Sequence, residues 1–201
     1  SSNCAYTIDT LVGKSVPEGV VATDVNVEPQ GLTYCGNRII VSSRGRVRAL
    51  DDEGRITTIG GRGYALGDPS EGALAVDAIL HAEALDCRGG VQLTLAMGAY
   101  HSVRRIDGQS RVRALAGVFG VQAVDWPPES GQLAVEVPLT GVNGVANAAD
   151  GSTYFCAGRI VWRVDPEGVL HRVAGTGEPG LGGQGDGGPA LDARLSLPMN
   201  I

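Results

Sequence analysis

The sequence predicts an all-β fold of repeated four-stranded antiparallel sheets, and the first observation behind this prediction is a repeat. A small-residue motif begins at Ala22, Ala75, Ala134 and Ala190, in steps of 53, 59 and 56 residues. The second observation is that each interval holds four short apolar or alternating runs, and the third is that turn residues separate these runs. Four-stranded units that repeat at this period are typical of the blades of a β-propeller.

The runs recur in the same order in each unit. The first runs occupy 31–35, 83–87 and 143–148, and the second runs 38–43, 91–97 and 152–157. The third runs occupy 46–51, 102–107 and 159–165, and the fourth runs 55–61, 111–117 and 169–175. Turns such as "DDEG", "DGQS" and "DPEG" join the third run to the fourth, because Asp, Gly and Pro favour tight hairpins. In the third run, strict alternation predicts apolar residues between blades and arginines at the solvent edge.

These units divide the chain into about three blades, with an orphan strand before them and the start of another blade after them. We predict an outer strand of a preceding or closing blade at 1–15, blades at 16–61, 62–117 and 118–175, and the entry to a next blade at 176–201. Propellers usually have at least about four blades. We therefore expect this chain to be part of a larger propeller, completed by continuing sequence, a companion chain or a second copy.

Composition excludes two classes of partner and leaves the thiol chemistry open. A net charge of −6 provides no basic field for nucleic acid, and no run approaches the roughly 20 apolar residues of a membrane span. The four cysteines, Cys4, Cys35, Cys87 and Cys156, show no CxxC spacing. Two disulfides in an exported protein and four buried thiols are both compatible with this pattern. We expect an extracellular, cell-surface or periplasmic location.

The fourth unit carries the motifs of a known family. The strings "VAGTG" at 173–177, "GDGGPA" at 185–190, "ARLSLP" at 193–198 and "RIVWRVDPEG" at 159–168 resemble the NHL-repeat β-propellers of the bacterial and teneurin-like type. The resemblance covers nearly the whole chain, although the second and third copies read "GDPSEGA" and "PPESGQLA" instead of "GDGGPA". It implies a propeller of six blades.

The glycine-rich motif is interpreted as structural. Its glycines allow positive φ, Pro189 suits the start of a short helical turn, and Ala190 and Ala193 let that turn lie against the sheet. The residues of the motif are Gly185, Asp186, Gly187, Gly188, Pro189, Ala190, Asp192 and Ala193. We expect no cofactor, because lone Asp-Gly pairs usually form turns. Calcium bound by Asp186 is the alternative.

An acidic residue recurs inside the predicted helical turn of every unit. These residues are Asp24, Asp77, Glu136 and Asp192. A catalytic site needs different groups on different blades, so recurrence in all units favours a structural role. We expect each carboxylate to cap a neighbouring backbone amide.

Few residues have the pattern of a channel site. His81, His101 and His171 occupy different positions in their blades, so these blades alone cannot supply a three-histidine zinc site. Asp86, Asn143 and Asn147 lie near the ends of inner strands and are the first candidates for a channel site. No Gly-x-Ser-x-Gly nucleophile motif is present, and Cys35 and Cys87 are expected to pack against the core.

Two loops are candidate partner contacts. Trp126, Pro127 and Pro128 form a rigid, partly apolar insertion between the second and third blades. The second blade has a longer "MGAYHS" loop, from which Tyr100 and His101 are expected to project.

The leading functional hypothesis is a non-enzymatic propeller scaffold or module that binds a protein or another macromolecule. One alternative is a channel-based metal-dependent hydrolase or lyase with most of its ligands in other blades. The other is a spacer propeller within a larger surface or toxin-like repeat protein.

Overall fold

A computed structural model describes residues 18–24, 27–63, 67, 71–124, 127–180 and 185–201. The predicted outer strand at 1–15, together with Cys4 and Trp126, lies outside the described residues. No helix within these ranges is long and apolar enough to cross a membrane.

The described chain forms three antiparallel sheets, and each predicted group of four runs forms one of them. The first sheet has the order β1-β5-β4-β3-β2, with strands β1 (Val20–Val21), β2 (Gly31–Cys35), β3 (Arg38–Ser43), β4 (Arg46–Leu50) and β5 (Arg55–Gly60). The second contains β6 (Ala84–Arg88), β7 (Gln92–Met97), β8 (Ser102–Ile106) and β9 (Val112–Ala116) in sequence order. The third contains β10 (Val142–Asn147), β11 (Thr153–Ala157), β12 (Ile160–Val164) and β13 (Leu170–Ala174) in sequence order. The chain is therefore a partial β-propeller of three blades, as predicted.

The first strands of the blades, β2, β6 and β10, lie side by side and are the innermost strands. The strands approach closely here: a Cβ at Gly31 would lie 3.1 Å from the Ala84 Cα and the Glu83 carbonyl oxygen, so a side chain at this position would push the strands slightly apart. Buried apolar side chains fill the spaces between neighbouring sheets, and Trp162 and Phe155 are the largest of them between blades 2 and 3. The blades are thus held together by packing along their faces.

A short edge segment precedes the first three small-residue motifs and pairs with the outermost strand of each blade, which the sequence did not predict. In blade 1 it is the strand β1, in which Val20 pairs with Ile56. In blades 2 and 3 it is reduced to antiparallel bridges between Leu74 and Arg111 and between Leu133 and Val169. This segment covers the outermost strand, whose edge would otherwise expose unpaired backbone groups.

The predicted helical turns are present as 3₁₀ turns at Ala22–Asp24, Ala75–Asp77, Ala134–Glu136 and Ala190–Asp192. The leading alanines of the first three turns are buried. The acidic residues, Asp24, Asp77, Glu136 and Asp192, are exposed, and none hydrogen-bonds an amide within the described chain. In the later turns backbone bonds such as Asp77 N–H to Leu74 O close the turn and no described amide is capped by the carboxylate; for Asp24, whose next two residues lie outside the described chain, capping stays a prediction.

The third strands correct the expectation that their arginines reach solvent. Arg48 and Arg104, at the centres of β4 and β8, are only 3% and 6% exposed. Both strands have a neighbouring strand on each side, so the arginine at the centre of each strand is shielded from water. A glutamate before the edge segment reaches each guanidinium at 3.9 Å, Glu18 for Arg48 and Glu71 for Arg104. Burial of the charge is tolerated because each has a carboxylate partner.

The described cysteines combine the two alternatives, disulfides and buried thiols, that the sequence left open. Cys35 and Cys87 pack against the core between blades 1 and 2, as predicted, and form a disulfide that joins β2 of blade 1 to β6 of blade 2. Cys156 is free and buried, and burial raises the pKa of its thiol. A buried, protonated thiol is a poor nucleophile, so Cys156 is a packing residue.

The hairpins between third and fourth strands share an aspartate that organises the turn. The side chains of Asp51, Asp107 and Asp165 accept hydrogen bonds from the amides of Arg55, Arg111 and Val169. The bond from the Arg111 amide lowers the pKa of Asp107, and the bond from His171 lowers that of Asp165, below the ordinary value of 3.8. Because a carboxylate only accepts, His171 Nε2–H is the donor in its 2.6 Å contact with Asp165.

These lowered values predict a specific loss of stability in acid. A carboxyl whose pKa is lower in the folded than in the unfolded chain stabilises the fold at pH values above its ordinary pKa of 3.8. This contribution disappears as the pH falls through the pKa of the folded state. Below pH 3.8 the unfolding free energy should therefore decline less steeply in Asp165→Asn than in the unmodified chain. Urea titration at successive pH values measures this. Equal acid slopes for the variant and the unmodified chain would show that Asp165 contributes nothing to this dependence.

Candidate functional site

Two of the predicted channel residues, Asp86 and Asn147, meet between the inner strands of blades 2 and 3. The Asn147 backbone amide and side-chain amide both donate to Asp86 Oδ2, at 2.6 and 2.9 Å. The hydroxyls of Thr94 and Thr153 each donate to Asn147 Oδ1 at 2.9 Å. Asn147 is thus held from both sides, and the cluster cross-links two blades. This arrangement suits a structural network better than a group that must exchange protons.

The third predicted residue, Asn143, lies elsewhere. It is the second residue of β10, and its side-chain amide donates to the Gly141 carbonyl at 3.1 Å. It therefore does not join the cluster of Asp86 and Asn147.

Two residues that the sequence analysis missed, Gln30 and Glu83, immediately precede the inner strands β2 and β6. They line a cavity of about 280 Å³ at the end of the molecule where the inner strands begin. The signal available in the sequence was weak: one polar residue directly before the first run of two units. We call this region the channel mouth, formed by Gln30, Gly31, Leu32, Glu83, Ala84, Leu85, Met199 and Asn200.

The channel mouth combines a carboxylate with an apolar rim. The Glu83 carboxylate lies against Gly98, where a Cβ would overlap its Oε2 atom. Leu32 and Met199 at the rim are 66% and 65% exposed. Polar groups at the centre and exposed apolar side chains around them are features of recognition surfaces. The described residues contain no cluster of three side chains that could hold a metal ion.

The three histidines lie in unrelated environments, as their positions in the sequence indicated. The His81 ring is 5.5 Å from the Tyr100 ring, and His171 is bonded to Asp165. His101 adopts a left-handed backbone conformation, and its Nδ1 accepts a hydrogen bond from the Gly141 amide at 3.4 Å. None of the three faces another histidine across a shared site in the described chain.

The loop with Tyr100 and His101 does not project as expected. Tyr100 stacks on Phe119 with ring centroids 4.6 Å apart, and both rings pack against the core between blades 1 and 2. The Tyr100 carbonyl also accepts a hydrogen bond from Gly120. Two non-polar faces lose contact with water when the rings stack, so the longer loop folds back instead of extending.

The other predicted positions show no assembled site. Pro127 is exposed beside Gly177 and Pro128 is half-buried, so the partner contact at Trp126, Pro127 and Pro128 stays a prediction. Asp186 is exposed and belongs to no three-residue metal cluster of the described chain; calcium there also stays a prediction. The glycine motif around it is a turn closed by the bond from the Gly188 amide to the Gly185 carbonyl.

No protein-family model and no curated protein sequence matches the chain. Solved structures do match its fold. An auxiliary nutrient binding protein from Bacteroides thetaiotaomicron is 17% identical with a TM-score of 0.58, covering 89% of this chain and 43% of that protein. Another from Bacteroides ovatus is 15% identical with a TM-score of 0.54, covering 76% and 37%. A streptogramin B lyase, at 13% identity and a TM-score of 0.48, covers 86% and 44%.

The chain thus spans less than half the length of these proteins. At such identities the similarity shows the fold alone, and that fold is the β-propeller.

Proposed function

We propose that the chain is a non-enzymatic binding module of a β-propeller and that it holds a protein partner at the channel mouth. The observation that carries the proposal is the exposed apolar rim of Leu32 and Met199 around the Glu83 carboxylate. An exposed apolar pair beside one charge favours a partner with its own apolar side chains and a cationic group. Six net negative charges on the chain also favour a basic partner segment.

The chemistry of the polar residues supports binding over catalysis. Asp86 and Asn147 are occupied by each other and by two threonines. Glu83 has no histidine, cysteine or second carboxylate in a metal-type cluster within the described residues. Two solved structures of similar fold are both called auxiliary nutrient binding proteins, which is a binding role. A disulfide between blades agrees with an extracellular or periplasmic location, where thiols oxidise.

The test is affinity isolation from an extract of the source organism with four variants of the full oxidised chain. We expect the partner to be retained by the unmodified chain and by Val76→Ser, which changes an exposed apolar residue outside the lining of the channel mouth. We expect Leu32→Ser and Glu83→Gln each to weaken retention about tenfold. If Leu32→Ser still retained the partner, or if Trp126→Ala lost it instead, the partner would not bind at the channel mouth. A stoichiometric metal with hydrolytic turnover would overturn the non-enzymatic role.

A further inference from the structure

A second cavity, of about 330 Å³, lies between blades 1 and 2. It is at the ends of the blades where the hairpins at 36–37 and 89–91 come into contact, away from the channel mouth. We call it the inter-blade cleft. Its lining residues are Cys35, Arg38, Ile40, Ile59, Gly90, Val91, Leu93, Ile106, Asp107, Gly108 and Ser110.

The floor of the inter-blade cleft is apolar and comes from both blades. Ile40 and Ile59 belong to blade 1, and Leu93 and Ile106 belong to blade 2. The disulfide of Cys35 with Cys87 forms one wall and fixes the spacing of the two inner strands. A cavity of this size with an apolar floor suits a small organic ligand.

The rim of the inter-blade cleft carries two charges, and only one is unpaired. Asp107 Oδ1 accepts from the amides of Gln109 and Arg111, and its Oδ2 accepts from Arg113 at 3.1 Å. Its charge is therefore compensated within blade 2. Arg38 is exposed; its backbone pairs with Cys35 in the hairpin, but its guanidinium makes no hydrogen bond or ion pair with any residue that the structure describes. The one charge left for a ligand is thus positive.

The junction between blades 2 and 3 shows what fills this position when no cleft is present. Thr94, the third residue of β7, takes the place that Ile40, the third residue of β3, has in blade 1. Thr94 bonds to Asn147, and Arg88 reaches across the junction to the Gly151 carbonyl at 3.3 Å. Hydrogen bonds therefore span the second junction at this level, whereas the equivalent position of the first junction is apolar and borders the inter-blade cleft.

We propose that the inter-blade cleft binds a small aliphatic monocarboxylate. The aliphatic chain lies on Ile40, Leu93 and Ile106, and the carboxylate accepts hydrogen bonds from the Arg38 guanidinium, whose planar donors match a carboxylate. This site goes beyond the proposed protein-binding function, since it lies on a different surface and takes a small molecule.

Calorimetric titration of the full chain, with the disulfide formed, tests this site using octanoate, octanol, octylamine and acetate. We expect saturable binding of one octanoate per chain, with acetate and octylamine each at least about tenfold weaker. Arg38→Gln should weaken octanoate about tenfold and leave octanol unchanged. Arg88→Gln, an arginine at the neighbouring junction, is the matched control and should bind octanoate like the unmodified chain.

Several outcomes would overturn the site. These are the absence of saturable octanoate binding, equal affinities for octanoate and octylamine, and equal losses from Arg38→Gln and Arg88→Gln. Tighter binding of a short peptide that ends in leucine would assign the cleft to peptide termini instead. Arg38 is an exposed side chain, and an unchanged melting temperature of Arg38→Gln will show that the variant is folded.

Discussion

Gly117→Ala is expected to lower the free energy of unfolding by about 3 kcal/mol or more. Gly117 follows the outer strand of blade 2 with φ at +82°, a conformation that costs an L-residue roughly 1–2 kcal/mol. An added Cβ would also overlap the His101 carbonyl and lie 2.8 Å from the Ser102 Cα. Both are backbone atoms at the start of the third strand, so they cannot move without displacing β8.

The matched control for this prediction is Gly54→Ala. Gly54 has a similar φ of +72°, but nothing lies within 4 Å of an added Cβ. Its substitution should therefore cost only the conformational strain, roughly 1–2 kcal/mol. Urea denaturation of both variants measures the difference. If the two variants lost equal stability, the contact with the His101 carbonyl would have no energetic consequence.

The second large effect is expected from the disulfide. Cys35 and Cys87 are 52 residues apart, and closing a loop of this length stabilises a fold by about 4 kcal/mol in the chain-entropy description. Reduction, or the double substitution of both residues by serine, should therefore lower the unfolding free energy by about that amount. The double variant should no longer respond to reductant.

Cys156→Ala is the control for thiol chemistry in general. This residue is buried and free, so its substitution should cost far less than loss of the disulfide, and its stability should still depend on reductant. Peptide mapping under non-reducing conditions identifies the pairing directly. A linked peptide that contains Cys4 with Cys35 or Cys87 would contradict the assignment.

The strands could be predicted because their signals are local. The run 31–35 coincides with β2, and the other predicted runs fall on strands with shifts of a few residues. A two-residue alternation and the Asp-containing turns depend only on neighbouring residues. The same locality explains the buried alanines of the first three 3₁₀ turns, since an alanine begins each of these motifs.

The candidate sites were predicted only in part, because they depend on contacts between distant residues. Asp86 and Asn147 were both selected, but their hydrogen bond joins residues 61 positions apart on different blades. Glu83 was overlooked because a single polar residue before a strand has no distinctive pattern. Tyr100 was expected at the surface, since the sequence shows a longer loop but not the Phe119 ring on which that loop packs.

The sequence by itself determined the number of blades, the order of strands and the turns, because each follows from residues a few positions apart. The tertiary structure alone decided which cysteines pair and how each junction between blades is filled. Cys35 meets Cys87 because β2 and β6 are neighbouring inner strands. Arg48 and Arg104 are buried at the centres of β4 and β8, and each is paired with a glutamate about 30 residues earlier in the sequence. Alternation in a strand specifies two faces, but the partner across each face is set by how the blades pack.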